Sequence, residues 1–308
     1  MSDRGKVLIT GGSGLIGSAL TEELAGAGYE VVVLSRSPER VEGLPAGARS
    51  VGWDAASAAG WDGEVEGARA IVNLAGENLA SGPWTEERKR RIRESRLRST
   101  GAVVEAVQRA EQPPAVLLQG SGVDHYGPRG DEEVTEETPP GEGFLARLTR
   151  DWEAASEPVE PAGVRRALLR TGLVLAPGGG ALPKMALPFR MFAGGPVGDG
   201  SQWVSWIHLR DEVRAIRFLL ERQDASGPYN LVSPEPVTNR ELSKALGRVL
   251  RRPSVLRAPA FAVRLVLGEL ADTVLQGQRA VPRRLQEAGF SWELPELEPA
   301  LRDALRGD

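Results

Sequence analysis

Short apolar runs alternate with longer amphipathic stretches along the first half of the chain. Lys6 to Thr10 reads as a buried strand, and a helical pattern then continues to about Ala27. Val31-Val32-Val33-Leu34 is a second buried run, with shorter strand signals at 49–53 and 69–75. A long charged amphipathic helix fits 85–110, and Ala115 to Leu118 and Arg165 to Leu175 complete the strands. Strands apolar on both faces, joined by helical stretches of ten or more residues, predict a doubly wound parallel α/β sheet. This sheet domain is expected over 1–175, with some later segments returning to it.

From about 176 the texture changes. Gly178-Gly179-Gly180, Gly194-Gly195-Pro196 and Gly198-Asp199-Gly200 mark loops, and helices are expected at 211–222, 238–250, 260–276, 282–289 and 296–306. Residues 176–308 therefore read as a smaller, mostly helical lobe over the sheet's carboxyl edge, with a C-terminal helical module from about 240.

Composition narrows the chemistry. The chain has no cysteine, which excludes disulfides, thiolate nucleophiles and cysteine-ligated metals. His125 and His208 are the only histidines, so no histidine-rich metal site is expected. A formal charge of −4 offers no nucleic-acid or anionic-membrane footprint. No apolar run approaches the ~20 residues that span a bilayer, and no basic-then-apolar leader precedes the first strand. A cytoplasmic protein acting on a small molecule is the expectation.

Between the first strand and helix stands Gly11-Gly12-Ser13-Gly14-Leu15-Ile16-Gly17. In that context glycines have a mechanism: Gly11 for the tight turn, Gly14 for close approach to a pyrophosphate, Gly17 for helix–strand packing. The helix N-terminus would offer free N–H groups and a partial positive charge to phosphates. Ser13, Leu15 and Ile16 complete this set of candidate contacts. At the end of the second strand, where an NAD site places a carboxylate, the chain has Ser35-Arg36. A guanidinium suits a 2′-phosphate, so NADP(H) is expected in preference to NAD(H). Trp53-Asp54 could flank the adenine, and Leu74-Ala75-Gly76 could pass the ribose.

With Thr10 ahead of it, the GxxGxxG spacing resembles the signature of short-chain dehydrogenases and reductases. The likeness extends through Val72 to Asn78, Trp84 to Thr100, Asp151-Trp152-Glu153, Arg170 to Leu175 and Ser205 to His208. These stretches are similar to the extended, epimerase-like branch of that superfamily, in an atypical group carrying the C-terminal helical module. The resemblance implies a Rossmann-type domain with an NADP(H) site, and an oxidoreductase or epimerase-like activity on a carbonyl, an alcohol or a nucleotide sugar. It also implies cofactor contacts from Arg96 and Leu175, and a substrate-carbonyl contact from Ser121 after the fifth strand.

The superfamily's usual Tyr-x-x-x-Lys pair brings a phenol and an ammonium onto one helix face for proton transfer. Here Tyr29, Tyr126 and Tyr229 are followed four residues on by Val33, Gly130 and Ser233, so the pair is missing. Counting back from Glu153, its positions fall near Leu145 and Thr149. Ser121 remains as a candidate catalytic residue, with Tyr126, His208 and Lys184 as replacement donors. Ser121 lacks the Gly-x-Ser-x-Gly context of a hydrolase, since Gln119 stands two residues before it. Trp203, Trp206, Met191, Phe192 and Phe189 could line an apolar pocket or pack a core. A binding protein without turnover, sensing redox state or regulating a partner, is the alternative reading.

Overall fold

The computed structural model describes residues 4–306. Strands β1 (Lys6–Thr10), β2 (Glu30–Ser35), β3 (Ala48–Gly52), β4 (Ala70–Asn73) and β5 (Val116–Gly122) are followed by the two-residue β6 (Glu133–Val134) and then β7 (Arg165–Thr171). Farther on come β8 (Leu173–Leu175), β9 (Trp203–Val204), β10 (Trp206–His208) and β11 (Gly227–Leu231). Seven of these form one parallel sheet in the order β11-β7-β5-β4-β1-β2-β3. The chain belongs to the doubly wound class with a helical C-terminal portion.

Alternation along the strands explains the layers. Val7, Ile9, Val31, Val33, Val72 and Leu118 point to one face, where α1 (Leu15–Gly26) packs. Leu8, Val32, Leu34, Ile71 and Leu117 point to the other, beneath α2 (Glu86–Arg109). The third helix, α3 (Phe144–Ala154), places Trp152 against Gly120 of β5. Next, α4 (Leu182–Arg190) joins the helical lobe, whereas α5 (Leu209–Glu221) returns to the α1 face. Strand β11 likewise returns to the sheet, beside β7.

Two expected elements are broken, each at a glycine. The run 165–175 is not one strand: at Gly172 an added Cβ would lie 2.5 Å from the Ser205 carbonyl oxygen. Beyond that close approach, β8 leaves the main sheet and pairs with β10. The expected helix at 260–276 becomes α7 (Ala260–Leu267) and α8 (Ala271–Leu275), after α6 (Asn239–Leu250). Gly268 between them has φ +57°, a left-handed conformation that stops the first helix. The chain closes with β12 (Val237–Thr238) on β9, β13 (Arg279–Ala280) on β6, α9 (Arg283–Glu287) and α10 (Leu297–Ala304). No helix among the described residues is long and apolar enough to cross a membrane.

Candidate functional site

The turn after β1 is built by steric exclusion. Gly11 has φ +69°, and a Cβ there would sit 2.9 Å from the Leu74 carbonyl group. A Cβ on Gly17 would meet the Gly11 oxygen at 2.3 Å, which fixes the helix close under the loop. Gly14 is the N-cap of α1 and offers no side chain, and the first turn contains no acidic residue. Its end dipole and N–H groups are thus left without a protein anion, as a phosphate site requires. Ser13 and Gly14 are exposed, and Leu15 and Ile16 are half-buried beside them. After β8 the chain returns over this turn: a Cβ on Gly179 would lie 2.5 Å from Leu15 Cδ1.

A buried polar network anchors the neighbouring loop. Thr10 donates to Asn73 Oδ1 at 2.6 Å, and its Oγ1 accepts the N–H groups of Leu74 and Ala75, each at 3.1 Å. Asn73 in turn donates to Gln119 Oε1 and Thr100 Oγ1. The hydroxyl thereby pins Leu74-Ala75-Gly76 against the glycine turn.

At the β2 end, Ser35 Oγ accepts the Ser37 N–H at 3.1 Å, closing a short turn around Arg36. Arg36 is exposed, and no ion pair or hydrogen bond engages its guanidinium among the described residues. The other expected adenine-side residues are largely engaged by the protein. Trp53 is buried edge-on to Trp61, with ring centroids 5.8 Å apart, in the core between sheet and α2. Asp54 uses both carboxylate oxygens to cap its own turn, through Ala56 N, Ser57 N and Ser57 Oγ. Those bonds hold its carboxyl below the usual range. Arg96 is buried over the Trp152 ring, 4.9 Å from its centroid, and donates to the Glu77 and Ile92 carbonyls. It supports the Gly76 loop from beneath. The Leu175 side chain is packed into the helical lobe's core with Trp206 and Leu182.

Ser121 stands near the carboxyl end of β5, in register with Arg170 on β7. Its hydroxyl donates to Glu153 Oε1 at 2.6 Å. Glu153 comes from the last turn of α3 and is held by Arg170 through Nε–Oε1 and Nη2–Oε2 bonds of 2.9 Å each. Burial alone would raise the Glu153 pKa, but Arg170, with smaller help from His125 and Ser121, brings it below the ordinary value. His125 Nδ1 lies 3.5 Å from Glu153 Oε2, and burial pushes this imidazole down to about 4. Glu153 and Arg170 both lie inside the family-like stretches, but nothing in the local sequence around either one shows that they converge.

Tyr126 and His208, both expected as proton donors, are each engaged within the protein. Tyr126 is fully buried; its hydroxyl donates to Asn230 Oδ1 at 2.6 Å and accepts from Arg170 Nη1 at 3.0 Å. Burial pushes its pKa up to about 12, and its two bonds tie strand ends together. His208 is the N-cap of α5: Nδ1 accepts the Arg210 N–H at 3.1 Å, and Nε2 lies 3.4 Å from Asp303 on α10. Burial lowers its pKa, which keeps Nδ1 available as an acceptor. His208→Ala is expected to cost about 1–3 kcal/mol through the lost cap and the cavity. Nucleotide affinity should not change; a parallel loss of affinity in a titration would return His208 to the site.

Lys184 Nζ donates to the Ala80 carbonyl at 3.2 Å, bridging α4 and the loop before α2. The aromatic set divides: Phe189 and Trp206 are core, whereas Met191 and Phe192 are exposed. Trp203 is half-buried and donates to Asp131. On α3, Leu145 packs near Trp84 and Ile92, and the Thr149 hydroxyl donates back to its own helix, so neither position offers a titrating group. No group of three or more His, Asp or Glu side chains among the described residues could hold a metal.

A parallel sheet with this strand order, a glycine turn and an uncapped first helix define a Rossmann-like, nucleotide-binding fold. Residues 7–232 match the NAD dependent epimerase/dehydratase family, and the chain belongs to that family. Residues 258–304 match a domain of unknown function, DUF1731. An epimerase family protein of Mycobacterium bovis is 41% identical over 296 residues, 96% of each chain. The crystal structure of the human epimerase family protein SDR39U1 (isoform 2) with NADPH is 35% identical. It superposes with a TM-score of 0.89 over 98% of this chain and 99% of that one. A nucleoside-diphosphate sugar epimerase from Corynebacterium glutamicum is 33% identical, with a TM-score of 0.77 over 98% of this chain and 58% of its own.

Proposed function

We propose that the protein is an NADP(H)-dependent oxidoreductase or epimerase-like enzyme that handles a small alcohol, carbonyl compound or nucleotide sugar. The observation carrying this reading is the first turn of α1, uncapped and without acidic residues, facing a turn whose glycines exclude side chains. The human relative crystallised with NADPH and the Corynebacterium relative named as a sugar-nucleotide epimerase support it. Gly11, Ser13, Gly14, Leu15, Ile16 and Gly17 would hold the pyrophosphate, Ser35 and Arg36 the 2′-phosphate end, and Leu74, Ala75 and Gly76 the ribose side. Trp53, Asp54, Arg96 and Leu175 would shape this site from behind, given their engagement within the protein.

When bound, the nicotinamide supplies hydride transfer. The chain's own contribution is to orient the ligand beside Ser121 and to exclude water, with Glu153 and Arg170 fixing that hydroxyl. The absence of a phenol and an ammonium at Leu145 and Thr149 favours one second reading, an NADP(H)-binding regulator without turnover. Fluorescence titration with NADPH and NADH, followed by a panel of carbonyl compounds and nucleotide sugars, tests both. NADPH-selective binding with oxidation by a panel member is the expected result. Binding without oxidation by any member favours the regulator, and failure to bind either nucleotide overturns both.

A further inference from the structure

We infer that Ser121 meets its ligand only as a hydrogen-bond acceptor, so the β5 edge takes a hydroxyl or N–H group at this point and disfavours a bare carbonyl. This rests on the proposed placement of the ligand at Ser121. It also reverses the carbonyl-binding role that family resemblance assigns to this serine.

A serine hydroxyl has one hydrogen and two lone pairs, and an ionised carboxylate can only accept. Both oxygens of Glu153 already receive Arg170 N–H groups at 2.9 Å, which keeps the carboxylate ionised. The 2.6 Å contact therefore has one polarity, with Ser121 donating its only hydrogen to Oε1. What the half-buried Ser121 has left is lone pairs.

Turning the hydrogen toward a ligand carbonyl would exchange a charge-assisted bond for a neutral one. It would also leave a buried carboxylate one donor short. Hydrogen bonds to charged groups are about twice as strong as neutral ones, so the asymmetry amounts to roughly 10- to 100-fold in affinity. Tyr126 cannot supply the missing donor, because its hydroxyl is already given to Asn230. Glu153 is thus a positioning residue that sets the polarity of the site through Ser121.

Neutron diffraction from perdeuterated crystals reads this polarity directly. Deuterium on the line from Ser121 Oγ to Glu153 Oε1 is the expected result; deuterium turned into the cleft overturns the inference. Cyclohexanol and cyclohexanone, titrated separately with NMR detection at the Gly120 and Gly122 amides, provide the functional readout. Wild type should favour the alcohol roughly 10- to 100-fold, Ser121→Ala should level the two, and equal affinities in wild type would overturn the proposal. Glu153→Gln, whose amide can donate to Oγ, should shift preference toward the ketone. If that variant fails to fold, or if neither probe binds, the deuterium position decides alone. Loss of the proposed cofactor reading would appear in the NADPH titration and leave the deuterium position untouched.

Discussion

Replacing Arg36 with aspartate is expected to weaken NADPH binding roughly 30- to 100-fold while changing NADH binding by less than about 3-fold. Arg36 is exposed after β2 on a turn closed by Ser35, and no carboxylate neutralises it among the described residues. A guanidinium pairs with phosphate in a forked geometry, and such charged bonds are worth about 10- to 100-fold before solvent screening. Exposure reduces that contribution toward its lower end, and a carboxylate placed against a phosphate restores part of the difference by repulsion. NADH lacks the 2′-phosphate, and an aspartate at this point can accept from its ribose hydroxyls. Calorimetric titration at two ionic strengths checks the idea, because the wild-type preference should shrink as salt rises. Equal losses for both nucleotides would move the phosphate contact away from Arg36.

Residues read locally were the ones legible in the sequence. Val7 to Ile9 and Val31 to Leu34 announce buried strands because both sheet faces are covered, and each apolar side chain has a core to enter. The glycine turn is equally local: its meaning lies in spacing between one strand and one helix. The Ser121 cluster is not local. Ser121, Glu153, Arg170 and His125 arrive from β5, α3, β7 and the turn after β5, and nothing in their separate neighbourhoods announces the meeting. Glu153 on an amphipathic helix and Arg170 within a strand look like ordinary surface charges until the sheet order places them together. The same limit explains Tyr126 and His208. A lone polar aromatic residue near a strand end suggests chemistry, whereas Asn230 and the Arg210 N–H that engage these two lie elsewhere in the fold or require a helix start.

A second carboxylate, Glu212, carries a larger consequence for stability than for binding. It is fully buried in the first turn of α5, where Oε1 accepts from Thr171 at 2.8 Å and Oε2 has no partner. Burial pushes its pKa up to about 8, against a small opposing effect of the Thr171 bond. An unfolded glutamate titrates near 4.3, so between these values the folded chain holds a proton that the unfolded chain has released. The sign follows: stability is complete below about pH 4.3 and declines as pH rises toward 8. At pH 7 the cost is about 3–4 kcal/mol, at 1.36 kcal/mol per unit. Glu212→Gln keeps an acceptor for Thr171 and has no proton to lose. The variant should match wild type near pH 4.5 and melt on the order of 5–10 °C higher at pH 8. Scanning calorimetry at the two pH values measures the difference. A gap that is the same at both would mean that Glu212 ionises within the fold, with water or a cation reaching Oε2. A gap that opens only at high pH identifies a proton held by burial, beside the Thr171-Gly172 break where β7 ends.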